Sequence, residues 1–305
     1  MQITARKTHA DAWLTAILLG LFFLFVTHIS RLSEGVVAAL ALCARAIIPT
    51  LFPFFILTDL LLSVKSTERV LTLFSRPLAK LLRLSPSGGA AVLLGAVFGF
   101  PMGAKAISHY YSSGILSKEE SERLLLFSGN ASPFFLIGSV GHGMLFSPKM
   151  GLILYLIQIT VSLVCGILLG ILSPRNTHFN AKIALEDKKI SLPQSLRGAV
   201  RQSLFVSGYV VFFSAILSIL LPYIKHAFVS CLFASLLEIG SACALVSQSG
   251  TYAIPFCAFS ACFSGLSVYF QTLDCIEGLE LQTQKYLPIK LLCGAGGFFL
   301  ALPLV

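Results

Sequence analysis

Charged side chains are scarce in this chain. They make up 11% of its 305 residues, where a soluble domain carries about 25%. That scarcity excludes a disordered chain, a soluble globular enzyme and a nucleic-acid-binding domain. Acidic residues are scarcer than basic ones, 13 Asp and Glu against 22 Lys and Arg, which leaves a net charge of +9. Catalytic signatures are missing as well. There is no H-E-x-x-H, no G-x-S-x-G and no Walker loop, so an ATP-driven pump is not encoded here and we expect neither an enzyme nor a cofactor. His109, His142 and His226 share no metal-ligand spacing. The eight cysteines form no C-x-x-C and most lie inside apolar runs. They read as small buried hydrophobes, not as a disulfide or zinc framework.

What the sequence has in abundance is apolar surface. Hydrophobic residues reach 56% and the mean hydropathy is +0.87. These values predict an all-α polytopic membrane protein, because a helix of about 20 apolar residues spans a bilayer. The excess of basic residues then reads as loops held on the cytoplasmic side, not as a nucleic-acid surface. Arg6 and Lys7 precede an apolar run from Ala12 to Ile29 that is long for a signal peptide and reads as a retained transmembrane helix. A second helix is expected over about 36–63, interrupted by Pro49 and Pro53. Between Lys65 and Arg83, apolar residues recur every three or four positions among Arg69, Arg76 and Lys80. This predicts a basic helix on the membrane surface, broken at Pro77.

Further on, apolar segments alternate with breaks. Residues 90–113 are interrupted by Gly99-Phe100-Pro101-Met102-Gly103 and read as a re-entrant hairpin, since non-helical backbone at membrane depth must be covered by protein or water. Ser117 and Glu120 form a capping box. The helix they start meets a second break at Ser128-Gly129-Asn130-Ala131-Ser132-Pro133. A further span follows over about 150–172, and apolar segments resume at about 203–221, 227–247, 252–273 and 286–304. The polar stretch from Ser173 to Arg201 reads as a linker.

The two halves resemble each other weakly. Phe127 to Ser132 can be laid on Phe263 to Ser267, and the break at 99–103 on Glu238-Ile239-Gly240-Ser241. With the N-terminus inside and 90–113 and 227–247 re-entrant, most Lys and Arg fall inside, and the repeats take opposite orientations. The expected organisation is an N-terminal transmembrane helix (1–34), a first repeat (35–173), a cytoplasmic basic linker (174–202) and a second repeat (203–305). Each repeat carries a re-entrant helical hairpin and a broken transmembrane helix.

Gly99-Phe100-Pro101-Met102-Gly103-Ala104-Lys105, Leu116 to Leu125 and Asn130 resemble the sporulation integral membrane proteins of the YlbJ type, which carry Gate, or nucleoside-recognition, domains. Pro49 to Phe55, Leu237 to Gly240 and Phe263 to Val268 are similar to further parts of that family, so the resemblance covers about 35–305. It implies a role in endospore formation, a multi-pass protein in the mother-cell-derived membrane around the forespore, and passage of dipicolinic acid. The implied partners are the lipid bilayer, a small anionic solute and, for assembly, further copies of the chain or other sporulation membrane proteins. Leu266 departs from the pattern, standing where the first repeat has Asn130.

Intramembrane ionisable residues are costly, so each is a functional candidate. Lys105 follows the first break, which holds the candidates Pro101 and Gly103 and where unpaired backbone amides and a helix N-terminus attract an anion; the alternative is a lysine reaching the interface. Asn130, Ser128, Ser132, Ser264 and Ser267 either bind solute or satisfy unwound backbone. Arg45 is an anion-binding candidate. Glu238 either holds a coupling proton or cation, or pairs with Lys105. Other readings are a nucleoside or metabolite carrier and a non-transporting scaffold. The topology has a direct test. A Ser117→Cys variant should resist a membrane-impermeant maleimide applied from outside; external labelling would make 90–113 a full crossing.

Overall fold

The computed structural model describes residues 2–173 and 191–304. Residues 174–190 of the expected linker, with Arg175, Lys182, Lys188 and Lys189, lie outside the described residues. Among the described residues the regular structure is entirely helical. In chain order it comprises α1 (Gln2–Thr27), α2 (Ile29–Leu42), a π-turn (Cys43–Ile47), α3 (Ile48–Leu62), α4 (Lys65–Leu82), α5 (Pro86–Phe98), α6 (Met102–Ser112) and α7 (Lys118–Ser128). A π-helix (Phe134–Met144), α8 (Pro148–Leu172), α9 (Leu192–Leu220), α10 (Ala227–Leu237), α11 (Ile239–Val246), α12 (Ala253–Phe263), α13 (Gly265–Cys275) and α14 (Tyr286–Ala301) follow. Among the described residues, Ile29–Leu61, Pro148–Leu172, Leu192–Tyr223, Gly250–Cys275 and Tyr286–Leu304 are long and apolar enough to cross a membrane.

Several expected boundaries move. No polar loop separates the first two apolar runs. The chain turns at His28 alone, whose Nε2 lies 2.7 Å from the Tyr223 hydroxyl, and Arg31 and Glu34 sit inside α2. Pro49 and Pro53 do not interrupt the next helix. It widens just before them, where the Ile48 N–H bonds the Cys43 carbonyl, and it then runs through both prolines. Pro77 likewise lies inside an unbroken α4, since one proline removes only one donor from a helix otherwise intact. That helix ends at Arg83, which is left-handed with φ 52°. It meets α5 at 100°, so the two are not one straight element. α9 starts at Leu192, well before its apolar run, because Ser195, Ala199 and Ser203 form one buried stripe while Arg197 and Arg201 stay outside it.

Half of the capping box is used elsewhere. Ser117 accepts the Glu120 N–H as expected. The Glu120 carboxylate instead accepts the Ser85 N–H at 2.6 Å, fastening the start of α5 to the start of α7.

The breaks fall in the same order in each half. α5 and α6 flank Gly99–Pro101, and α7 and the π-helix flank residues 129–133. In the second half α10 and α11 meet at Glu238, and α12 and α13 meet at Ser264. Helices of 11 or 13 residues such as α5 and α6 are about 16–20 Å long at 1.5 Å per residue, too short to cross alone.

Loss of the Glu120 contact should be measurable. Glu120→Ala removes a charge-assisted hydrogen bond worth about 1.5–3 kcal/mol, so the thermal unfolding midpoint of the purified protein should fall. Glu120→Gln, which keeps an acceptor, should lose less.

Candidate functional site: crossing helix breaks around a buried cavity

In each half the two breaks touch. Gly99 has φ +80°, and a methyl group there would lie 2.6 Å from the Ser132 main-chain nitrogen. Gly265 has φ +82°, and a methyl group there would lie 3.3 Å from the Glu238 Cα. Only glycine combines that backbone with that approach. The hairpin tip and the broken helix therefore cross at their non-helical points, twice.

Non-helical backbone in apolar surroundings needs partners from the protein, and the 127–132 segment finds them in side chains. Ser162 Oγ donates to the Phe127 carbonyl at 2.8 Å. Asn130 Nδ2 lies 3.3 Å from the Ser128 carbonyl and 3.3 Å from Ser162 Oγ. Gln158 pairs with both main-chain groups of Ala131: its Oε1 accepts the N–H at 2.9 Å and its Nε2 donates to the carbonyl at 3.0 Å. Ser132 Oγ accepts the Phe135 N–H at 3.1 Å.

Lys290 joins the halves. It is 2% exposed, and its ammonium donates to the Gly129 carbonyl at 2.5 Å and to the Cys262 carbonyl at 3.3 Å. One residue of α14 thus holds a freed carbonyl from the first half and one next to the second-half break.

In the second half Glu238, 1% exposed, caps α11. Its two carboxylate oxygens accept the Gly240 and Ser241 N–H groups at 2.9 and 2.5 Å. Ser264 adopts φ +77° and its hydroxyl donates to the Ala261 carbonyl at 3.3 Å. Ser267 and Ser128 are buried, and among the described residues neither hydroxyl has a hydrogen-bond partner.

Phe100, Ser132, Glu238 and Gln271, with apolar side chains of α3 and α9, line one cavity of about 30 Å³. That is room for a water, not for a solute of many atoms. Other expected site residues stand away from this lining. Lys105 pairs with Asp59 at 2.5 Å, so its counter-charge comes from α3 and not from Glu238. Gly103 packs against Gly95 and the Ser128 carbonyl. Pro101 is buried and its carbonyl accepts the Lys105 N–H. Arg45 is exposed on the π-turn. Four residues that belong to none of the sequence motifs carry much of the geometry: Gln158, Ser162, Gln271 and Lys290. Gln158 and Ser162, four residues apart in a largely apolar helix, were the available signal.

Several apolar spanning helices, with broken helices packed tip to tip between them, define an all-α polytopic membrane protein. The chain is similar to the "Sporulation integral membrane protein YlbJ" of Bacillus subtilis (strain 168), 30% identical over 149 residues. The matched stretch is 46% of this chain and 36% of that protein, and it supports the YlbJ-type family that the motifs imply. No family model matches the chain, and no solved structure does.

The main-chain pairing by Gln158 has a clear consequence. Gln158→Leu strands two buried groups at Ala131, each costing about 1–3 kcal/mol. A lower unfolding midpoint in detergent is expected, with Gln158→Glu in between; a midpoint equal to that of the parent protein would overturn this role.

Proposed function

We propose that the protein is a carrier or channel that moves a small organic anion across a membrane, with dipicolinic acid during endospore formation as the first candidate. One observation carries the reading: breaks from both halves meet around a single buried cavity. Discontinuous helices whose ends face a central site are the architecture of many secondary transporters. A purely structural bundle has no need of non-helical backbone that must be re-satisfied by Gln158, Ser162 and Lys290.

The anionic class rests on the helix starts. α6, the π-helix and α13 each begin at a break, where N–H groups favour negative charge, and Lys105 and Lys290 stand near those breaks. Dipicolinate itself, and a place in the membrane around the forespore, come from the YlbJ-type resemblance. At about 30 Å³ the cavity is too small for such a solute, so passage requires the crossed breaks to separate. A neutral polar solute such as a nucleoside is the second reading, favoured by the carboxylate of Glu238 in the cavity wall.

The test is uptake of labelled dipicolinate into vesicles holding the purified full chain. Saturable uptake above empty vesicles is expected; no movement of dipicolinate or nucleoside would leave a scaffold. In spores, Lys105→Ala should lower dipicolinate content several-fold. Normal content at normal protein level would count against a role for Lys105.

A further inference from the structure

α4 runs between the ends of two spanning helices. Only Ser63 and Val64 separate its start from α3. Its last residue packs near the end of α8, where a methyl group on Gly170 would lie 2.7 Å from the Leu82 carbonyl oxygen. It meets α5 at 100°. At about 100° of turn per residue, its side chains sort into three stripes. Ser75, Ala79 and Leu82 are buried against the protein. Arg69, Arg76 and Lys80 are exposed along one flank, and among the described residues no acidic side chain lies within ion-pair distance of them. Val70, Leu73, Phe74 and Leu81 form the third stripe, also exposed, with Phe74 at 73%.

The two uncovered stripes want different surroundings. Basic groups in the middle of the helix bar it from crossing the apolar interior. An apolar stripe headed by an exposed phenylalanine is costly in water. The layer where acyl chains meet phosphate groups suits both at once.

We propose that α4 is a binding site for anionic phospholipids, its apolar stripe set among the acyl chains of the adjoining leaflet and its Arg69, Arg76 and Lys80 on the phosphate headgroups. The charge of the segment is one-sided: Lys65, Arg69, Arg76, Lys80 and Arg83 stand against Glu68 alone. An anionic leaflet complements that excess, and a zwitterionic one carries no net charge to match it. Apolar spacing alone predicts a surface helix; the stripes add which residues read the lipid, and which lipid.

The site is tied to the first break. Ser75 Oγ donates to the Pro86 carbonyl at 3.1 Å, and a methyl group on Gly89 would lie 2.7 Å from the Ala79 Cβ. α5 is therefore seated on the buried stripe of α4, and it ends at Gly99. Lipid held by α4 anchors the first hairpin whether or not a solute crosses beside it.

The test puts a reporter in the apolar stripe. The chain has one tryptophan, so a Trp13→Phe/Phe74→Trp variant of the full chain reports from position 74 alone. It is reconstituted in vesicles of phosphatidylcholine and phosphatidylglycerol, with bromine on the acyl chains of one lipid at a time at equal molar fraction. Both lipids should quench the fluorescence. Brominated phosphatidylglycerol should quench more, with a relative association constant of about fivefold or more that shrinks as salt rises. Adding Arg69→Gln, Arg76→Gln and Lys80→Gln should bring the two lipids to equality while quenching persists. Removing as many charges elsewhere, by Lys118→Gln, Arg197→Gln and Arg201→Gln, should keep the preference. Circular dichroism checks the fold of each variant. Equal quenching by the two lipids in the folded reporter protein overturns the site, as does an unchanged preference when Arg69, Arg76 and Lys80 are neutralised. Quenching by neither lipid overturns it too, and the protein's mass by light scattering then tells whether a second copy of the chain covers the stripe.

Discussion

A helix break in apolar surroundings leaves main-chain N–H and C=O groups with neither helical partners nor water, and each must be paired by the protein. The breaks at Gly99–Pro101, 129–133, Glu238 and Ser264 set that condition, and much of the architecture answers it. Gln158 and Ser162 stand on α8 where they meet the carbonyls and the amide of the 127–131 segment. Glu238 caps the helix that starts at its own break. Gly99 and Gly265 have no side chain because another backbone passes where it would be.

Lys290 shows how one charge serves this condition in two places. An ammonium has three donors and no acceptor. Between the Gly129 and Cys262 carbonyls it receives partial negative charge from both halves, and it fixes their separation. Lys105 is balanced differently, by the full charge of Asp59 on α3. The two lysines therefore do distinct work: one links unwound backbone, the other holds the first hairpin against α3. Glu238 has neither kind of partner among the described residues, which sets it apart.

Much of this was legible before any coordinates. The apolar composition announced spanning helices, and Gly, Pro and Ser clusters marked where helices stop, because those residues act locally on backbone geometry. The breaks read at 99–103, 128–133, 238–241 and 263–267 appear in the structure. Errors came where a local signal was overruled by packing. Pro53 and Pro77 are local helix breakers, yet both sit inside helices that continue through them. Glu120 had the spacing of a reciprocal cap, yet it serves Ser85, a residue brought to it by the tertiary fold.

The sequence by itself determined the solvent this protein folds in, the helical class and the places where helices break, since each follows from composition or from a few consecutive residues. It could not determine which break meets which. That Gly99 lies on Ser132, that Lys290 reaches both halves, that Lys105 chooses Asp59 and that Glu238 and Gln271 share a cavity are contacts between distant segments. Tertiary structure decided them, because pairing a freed backbone group depends on which side chain packing delivers to it, and spacing along the chain carries no record of that.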